Sequence, residues 1–489
     1  MTSRAPEAVE GFGNRVRNAV FWRSGSQVVA QVLMWTATII VVRLLDPHDY
    51  GLFAMSQVVL IALNFLNGHS FASSLIQEKE VSRERIGQVF GVLILMNVVL
   101  AAAQFLAAPY VAAYYRQPII VDMLHVQTLI YLITPFIALP TALLARDLNF
   151  KAQAKADMIG AVSGAGMALW GAWHGWGVWT LVIAPLVQQA VRAVGLALAA
   201  RALTWPRFDF TGIGSIMRFG SALILCQFFW VIQSQADIAI AGRSFDPHHL
   251  GLYTEALFLT LIFSAKFIPP LNEVAFPAYT ELAKTGGDIG PAFVKAARLT
   301  MFVAMPLYLG MAASAGPLVD TLFGPKWHEM IPLVAGLPLA MPFFALQIIC
   351  SPTTNALGKP RIYVFSSLAG AIIMPVAFLI GSRWGAQGLV HAWQAAAPLL
   401  LVVTLWLTLP AIGVRLATLT AAILPSVASA LVMALAVRWA GELTAPLPAP
   451  LALAILVSLG AIVYLGLIWT TARPLIQELH TLVRRKELA

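Results

Sequence analysis

Four charged side chains lie inside long apolar stretches of this sequence: Arg192, Lys266, Asp237 and Glu255. Charge is costly in hydrocarbon, so a charged residue that is retained there marks a functional site by default. Arg192 and Lys266 are therefore candidate ligand-binding groups. For Lys266 an alternative is open, because its long side chain could reach the membrane surface instead.

The two acids suggest a different chemistry. Asp237 and Glu255 fall about five residues inside the same predicted boundary of two consecutive apolar stretches, so they could approach one another. A close carboxylate pair, or one carboxylate in apolar surroundings, can exchange a proton. That would suit the coupling ion of a transporter, H⁺ or Na⁺. A structural ion pair with Arg43 or Arg243 is an equally open interpretation.

The composition explains why these few charges stand out. Of the 489 residues 59% are apolar and only 11% are charged, against about 25% charged in soluble domains. At roughly 20 residues per crossing, the apolar residues allow about 14 crossings. This excludes a soluble enzyme, a nucleic-acid-binding protein and a disulfide-rich secreted protein. The fold class that we expect is an all-α polytopic membrane protein with about 14 transmembrane helices.

Hydropathy and basic residues together predict the topology. The predicted spans are 19–42, 51–76, 87–113, 120–144, 156–173, 176–200, 215–241, 250–275, 299–320, 329–356, 361–382, 386–409, 416–438 and 448–470. With both termini in the cytoplasm, 23 of the 31 Lys and Arg residues fall on the cytoplasmic side and six on the opposite side. Such an excess is the positive-inside pattern of membrane proteins.

An internal repeat joins the first and seventh spans. The segment from Arg43 to Phe53 and the segment from Arg243 to Tyr253 share Arg, Asp, Pro, His, Gly and Leu at an offset of 200 residues. The offset covers six crossings, so both copies have the same orientation and the repeat is parallel. Asp-Pro ends one helix and begins the next, and Gly allows two helices to approach closely. The motif is a turn, with a gating role as the alternative. The candidate loop residues are Arg43, Asp46, Gly51, Arg243, Asp246 and Gly251.

The repeat predicts two six-helix lobes in pseudo-two-fold parallel repeat and two appended C-terminal helices. The predicted division is 1–18 for a cytoplasmic interfacial segment, 19–205 for the first lobe, 206–410 for the second lobe, 411–472 for two accessory spans and 473–489 for a cytoplasmic tail.

Polar and aromatic residues line one face of each of the two repeat-related helices. In span 7 they are Gln227, Trp230, Ser234 and Asp237, and in span 1 they include Gln27, Gln31 and Trp35. Such faces suit a cavity that accommodates a polar ligand, although hydrogen bonding between helices also produces them. Asn64 in span 2 is a further polar candidate.

Several short motifs occur in a fixed order relative to the spans. They are Arg43–Phe53, Arg146–Phe150, Gly175–Val182, Leu322–Trp327, Asn355–Pro360 and Gly385–Gly388. In these motifs the chain resembles the multidrug/oligosaccharidyl-lipid/polysaccharide (MOP) exporter superfamily over roughly residues 15–410. It is most similar to the polysaccharide transporter branch, the Wzx-like flippases of O-antigen and exopolysaccharide repeat units.

The resemblance implies a function. It implies two lobes around a central cavity and alternating access, which flips an undecaprenyl-pyrophosphate-linked oligosaccharide from the inner to the outer leaflet of the bacterial plasma membrane. Arg192 and Lys266 would then contact the pyrophosphate, and the polar faces would contact the glycan. The expected partners are this glycolipid, the bilayer and polysaccharide polymerase and export machinery.

Other functions stay open at this point. A cation-coupled antiporter of the MATE type would need a strongly acidic cavity and would lack the motif from Arg43 to Phe53. A lipid II flippase would concentrate several arginines in its first lobe, where only Arg192 is deep. A membrane-embedded glycosyl- or acyltransferase has no support, since no catalytic constellation is evident. We therefore expect no enzymatic activity and no cofactor, and the missing Walker A loop argues against direct use of ATP.

Overall fold

Helices make up nearly all of the described structure. The computed structural model describes residues 31–64, 82–147, 149–200, 205–209 and 214–471, with side chains from 228 onward in the last range. Within these ranges there are helices, turns and short linkers but no strand. The predicted all-α class is therefore confirmed. The predicted interfacial segment 1–18 and tail 473–489 lie outside the described residues.

The chain divides into two compact units, Met1–Phe228 and Phe229–Ala489. The helices of the first unit are α1 Gln31–Leu44, α2 Pro47–Asn64, α3 Arg83–Tyr115, α4 Ile119–Gln127, α5 Leu129–Ile133, α6 Pro135–Arg146, α7 Phe150–Trp173 and α8 Val178–Ala200. Helix α9, Gly214–Ser244, crosses the division. The second unit continues with α10 Pro247–Lys284, α11 Ile289–Ala313, α12 Ala315–Leu322, α13 Ile331–Gly336, α14 Met341–Ile348, α15 Cys350–Ala356, α16 Pro360–Gly381, α17 Gly385–Thr408, α18 Leu416–Thr444 and α19 Ala449–Thr471. The predicted lobe boundaries stay predictions.

Eight helical stretches of the described residues are long and apolar enough to cross a membrane, and a bent pair would make nine. One of the eight, Pro360–Ile412, contains both α16 and α17. Helices α1, α2, α7 and α9 coincide with predicted spans but are not among the eight. Polar residues explain part of this, since α7 contains Lys151, Lys155 and Asp157, which lower its mean hydropathy. The count of fourteen crossings stays a prediction.

The bent pair is the tenth predicted span. It runs as Pro325–Leu339 and Met341–Ala356, with an angle of 44° at the break. Two short 3₁₀ segments, Pro325–Met330 and Leu337–Leu339, interrupt the helix. Proline lacks the N–H that a helix interior needs, and this stretch contains Pro332, Pro338 and Pro342.

The sequence repeat is also a repeat of local structure. Helix α1 ends at Leu44 and α2 begins at Pro47, while α9 ends at Ser244 and α10 begins at Pro247. The last turns close with equivalent bonds, from Leu45 N to the Val41 carbonyl and from Phe245 N to the Ala241 carbonyl. The offset of 200 residues therefore holds for the backbone turn in each unit.

A tight helical hairpin dominates the second half of the first unit. Helices α7 and α8 are joined by the turn at His174–Gly177, where Gly175 and Gly177 adopt positive φ angles of 72° and 53°. Along the hairpin the contact is made through small residues. A Cβ on Gly195 would lie 3.0 Å from the Cβ of Ala156, so the two backbones lie close together. Long side chains of α8 can then pack along the glycines of α7.

In the second unit, glycines and buried polar bonds fix the helix contacts. A Cβ on Gly381 would lie 2.5 Å from the Gly388 carbonyl oxygen, so α16 and α17 touch through their backbones. Near the C-terminus, the Tyr464 hydroxyl donates to the Phe302 carbonyl at 2.8 Å. This bond ties α19 to α11, because an unpaired hydroxyl is unfavourable in an apolar interior.

Candidate functional site

Arg192 forms an ion pair inside the α7–α8 hairpin. Its Nε donates to Oδ1 of Asp157 at 2.7 Å, and the side chains are 29% and 39% exposed respectively. The sequence predicts Arg192 as a ligand-binding cation but does not single out Asp157. Each residue lies 17 positions from the turn, counting back from His174 and forward from Gly175. That symmetry places both at one depth in an antiparallel hairpin, and it is the sequence signal that identifies the pair.

Glycines make room for this pair. A Cβ on Gly160 would lie 3.1 Å from the Arg192 Cβ, and one on Gly164 would lie 2.7 Å from the Gln188 Cβ. Arg192 and Gln188 are four residues apart and so share one face of α8. The stems of both side chains therefore lie over the glycines of α7. The guanidinium of Arg192 reaches Asp157, and the Gln188 amide oxygen lies next to Gly164.

Asp237 lies in a chain of hydrogen bonds that crosses three helices of the second unit. Tyr253 donates its hydroxyl to Oδ2 at 2.8 Å, and the backbone N–H of Ile238 donates to Oδ1 at 2.8 Å. The indole N–H of Trp393 donates to the Tyr253 hydroxyl at 2.9 Å. Asp237 and Tyr253 are both fully buried. The carboxylate is thus satisfied and shielded, and α9, α10 and α17 meet at it.

The expected approach of Glu255 to Asp237 has a geometric obstacle. Tyr253 faces Asp237. Glu255 is two residues further along the same helix, and a residue at that distance lies on the opposite side of the helix. Among the described residues, Glu255 makes no hydrogen bond or ion pair, with Asp237 or with any other group. The two acids therefore do not form a bonded pair in this structure, and their ion-coupling role stays a prediction.

Lys266 lies on α10 and is exposed. It lies between Phe263 and Phe267, which line an apolar cavity of about 410 Å³ between α10 and α11. No hydrogen bond or ion pair of Lys266 exists within the described ranges. The structure therefore leaves open both a ligand-binding role and a position at the membrane surface.

The two predicted polar faces are only partly described. Gln27 lies outside the described residues, as does the side chain of Gln227. Gln31 is half-buried and Trp35 is 47% exposed, on α1, and Asn64 is exposed at the end of α2.

On α9 the face is engaged in packing within the second unit. Trp230 stacks on Phe344 with ring centroids 6.3 Å apart, and Ser234 bonds to the carbonyl of Val231 in its own helix. Phe344 also contacts Trp393, so Trp230 belongs to the aromatic layer beside the Asp237 bond chain. The predicted sugar-contacting role of this face stays a prediction.

The loop residues fall at equivalent places in the two turns. Arg43 and Arg243 are exposed, and Gly51 and Gly251 are buried. Asp46 is exposed, and its backbone N–H is 3.4 Å from an Asp49 carboxylate oxygen.

Asp246 is the N-cap of α10. It accepts from the backbone N–H groups of His248 and His249 at 2.9 and 3.1 Å, and from the His249 ring. Burial alone would raise the pKa of Asp246, but the bonds from His249 outweigh burial and hold it below the ordinary value of 3.8.

Tyr253 and Trp393 are functional candidates that sequence reasoning missed. Both are aromatic residues in apolar helices, where packing is their usual role. The signal was the repeat itself, because Tyr253 takes the place of Phe53 and so adds a hydroxyl sixteen residues after Asp237. No cluster of three or more His, Cys, Asp or Glu residues suited to a metal ion exists in the part of the chain that the structure describes.

Comparison with known proteins identifies the family and the relatives that this chain resembles. The profile of the family described as "Polysaccharide biosynthesis protein" matches residues 40–332. The chain is 24% identical over 478 residues to "Succinoglycan biosynthesis transport protein ExoT" of Rhizobium meliloti, covering 96% of each chain. It is 22% identical over 374 residues to "Lipopolysaccharide biosynthesis protein WzxC" of Escherichia coli, covering 75% of each.

A solved structure shares the fold. The structure of "Lipid II flippase MurJ, inward closed conformation" matches with a TM-score of 0.75 and 12% identity, over 93% of this chain and 99% of the other. At that identity the likeness shows the fold alone.

These findings define a class: a multi-pass membrane transporter of polysaccharide biosynthesis, Wzx-like and within the MOP exporter superfamily. The chain belongs to the polysaccharide biosynthesis protein family whose profile covers residues 40–332. The resemblance expressed in the motif from Arg43 to Phe53 is thereby confirmed.

Proposed function

We propose that the protein is a flippase for undecaprenyl-pyrophosphate-linked oligosaccharide repeat units in surface polysaccharide export. The observation that carries the proposal is the family match over residues 40–332. ExoT and WzxC support it, since their names assign them to succinoglycan transport and lipopolysaccharide biosynthesis. The glycolipid moves from the inner to the outer leaflet of the bacterial inner membrane by alternating access.

The charged groups of the two units fit the parts of such a substrate. A pyrophosphate is recognised by guanidinium or ammonium groups, which Arg192 and Lys266 supply. The glycan is recognised by amides and aromatic faces, which include Gln31, Trp35 and Asn64.

Transport needs an energy source, and we propose a gradient of H⁺ or Na⁺. Asp237 is the buried carboxylate that supports this proposal, because it links three helices through Tyr253 and Trp393. Loss or gain of a charge at that point changes the bonds that hold those helices together. Coupling would then act through helix packing in the second unit.

The alternatives predict different substrates. A lipid II flippase is the alternative that the fold shared with MurJ suggests. A MATE-type antiporter is the second, and one solved structure of a MATE family transporter shares the fold with a TM-score of 0.61. A substrate competition experiment with lipid II and with a drug cation separates both from the proposed function.

The test in cells is deletion. A strain without the gene is expected to accumulate lipid-linked repeat units in the cytoplasmic leaflet and to lose surface polysaccharide. The wild-type gene restores both when it is returned on a plasmid. Normal surface polysaccharide in the deletion strain would contradict the proposal.

A further inference from the structure

We infer that Arg192 and Asp157 together form a pyrophosphate subsite, in which Asp157 is the resting counter-ion that positions Arg192 and weakens anion binding. The inference rests on the proposed function, because that function supplies the pyrophosphate. It makes the role of Arg192 specific and adds Asp157, a residue that carries the same sign of charge as the pyrophosphate.

The bond between Arg192 and Asp157 uses only one of the nitrogens of the guanidinium. Within the described part of the chain, Asp157 accepts one hydrogen bond, from Nε of Arg192 to Oδ1 at 2.7 Å. Among the described residues, no other hydrogen bond reaches the guanidinium. The two Nη groups, which carry four N–H donors, are therefore left for oxygen atoms of a ligand. A phosphate can approach them while the bond to Asp157 stays in place.

Arg192 is partly accessible and packs against a glycine of α7. The Arg192 side chain is 29% exposed, so part of it is accessible to a ligand. The stem lies against Gly160, where a Cβ would come within 3.1 Å of the Arg192 Cβ. Gln188 lies one turn away over Gly164, and its amide makes no hydrogen bond within the described ranges. The glycine-lined face thus presents one guanidinium and one amide side by side.

The negative charge of Asp157 acts both on Arg192 and on an arriving phosphate. A lone cation is costly in an apolar helix pair, and a carboxylate at 2.7 Å lowers that cost. The same carboxylate repels an arriving phosphate, since like charges disfavour one another at short range. A transport site must bind its substrate but also release it, so a built-in counter-charge is suited to the task. Asp157 therefore keeps the empty site stable and the loaded site weak.

The test is a binding measurement on the full-length protein in lipid nanodiscs. The probe is farnesyl pyrophosphate, with farnesyl monophosphate and farnesol as comparison ligands. R192Q is expected to weaken pyrophosphate binding by at least about tenfold. D157N keeps an oxygen acceptor for Nε but removes the charge, and it is expected to bind the pyrophosphate several-fold more tightly.

Controls separate positioning from folding. D157E keeps the counter-charge and is expected to show no gain in affinity. E84Q alters a different Arg–carboxylate pair of the first unit, between Arg207 and Glu84, and is expected to leave binding unchanged. Thermal unfolding of each variant checks that the helices are intact.

The outcomes are opposite for the two interpretations. A merely structural ion pair would make D157N and R192Q weaken binding together. An affinity of folded D157N equal to or below wild type, or no binding of farnesyl pyrophosphate by the wild type, would overturn the inference. Flipping of lipid-linked oligosaccharide by the wild type would in that case still support the proposed function. Tighter binding by D157N without any flipping would instead contradict the function alone.

Discussion

The two copies of the repeated turn share a backbone and differ in the side chains around it. In each copy a helix ends three residues after a buried Val or Ala at 41 or 241, and a proline begins the next helix. Ala37 and Phe53 flank the first turn, whereas Asp237 and Tyr253 occupy the same places at the second. Two residues further along, Met55 corresponds to Glu255.

This difference gives the second copy buried polar groups where the first copy has apolar ones. Ala37 and Met55 are buried and apolar, so the first copy is held by packing. The second copy replaces that packing with a hydrogen-bond chain from Trp393 through Tyr253 to Asp237. The cation of the first unit lies elsewhere, at Arg192 in the α7–α8 hairpin. The coupling carboxylate that we propose, Asp237, lies in the second unit, whereas Arg192 and Asp157 lie in the first.

The largest effect is expected from D237A, which makes the second copy like the first at this position. Tyr253 would lose its acceptor, and a buried unsatisfied hydroxyl costs about 1–3 kcal/mol. We expect unfolding at lower temperature and at least tenfold slower glycolipid flipping in proteoliposomes. D237N retains an acceptor, so it should keep most of the stability but lose the response to a pH gradient.

The matched control for this substitution is A37S in the first copy. It should leave both the flipping rate and its gradient dependence unchanged. A D237A protein that flips at the wild-type rate would show that the Asp237 bond chain has no role in transport.

A smaller effect is expected from Y253F, which recreates the Phe53 of the first copy. It removes the hydroxyl between Asp237 and Trp393, so both bonds of that hydroxyl are lost. The expected loss of unfolding free energy is about 1–3 kcal/mol, measured by thermal unfolding in detergent. The reverse change, F53Y, has no carboxylate nearby at Ala37 and should bring no gain. Equal stability of Y253F and wild type would contradict the bond chain.

The first copy has its own contact, which G177A tests. Gly177 has φ +53°, and a Cβ there would lie 3.0 Å from Oδ1 of Asp49 in the first turn. Gly175 has φ +72° with open space around it, so G175A measures backbone strain alone. Strain of this kind costs about 1–3 kcal/mol, and G177A should cost more than G175A. Equal losses in thermal unfolding would mean that the contact with Asp49 contributes nothing.

The smallest effect is expected from H249A, in the second turn. The pair of His249 with Asp246 is exposed, and exposed ion pairs contribute at most about 1 kcal/mol. Because the pKa of Asp246 is lowered on folding, its contribution is fully present above the ordinary value of 3.8 and is lost as the pH falls through the lower pKa of the folded protein. Thermal unfolding at pH 5 and at pH 2 should show a difference between H249A and wild type that shrinks at the lower pH. A constant difference would assign the effect to packing instead.

The sequence was informative about elements and less so about partners. Apolar runs predicted helices where the structure has them, and the motif at 43–53 identified the family. The offset of 200 predicted two equivalent turns, because Asp-Pro ends a helix in the same way wherever it occurs. The number of crossings could not be settled in this way, since α7 and α9 carry polar residues that lower the hydropathy of a span.

Side-chain partners depend on helix packing, which a hydropathy pattern does not contain. Arg192 was identified as a functional cation, but Asp157 was not singled out as its partner. Asp237 was matched with Glu255 on depth alone, whereas the rotation of α10 places Tyr253 next to it. The depth of a residue in the membrane can be counted from a turn, because Arg192 and Asp157 each lie 17 residues from the turn between their helices. The rotation of a helix about its axis, which decides which side chains meet, is known only from the structure.

The central claim is that the protein flips a lipid-linked oligosaccharide. The most direct measurement uses purified protein in proteoliposomes that contain fluorescently labelled undecaprenyl-pyrophosphate oligosaccharide, with leaflet exchange followed by membrane-impermeant quenching. The proposed function predicts exchange that is faster than in protein-free vesicles and that responds to an imposed H⁺ or Na⁺ gradient. Exchange at the protein-free rate under every gradient would contradict it.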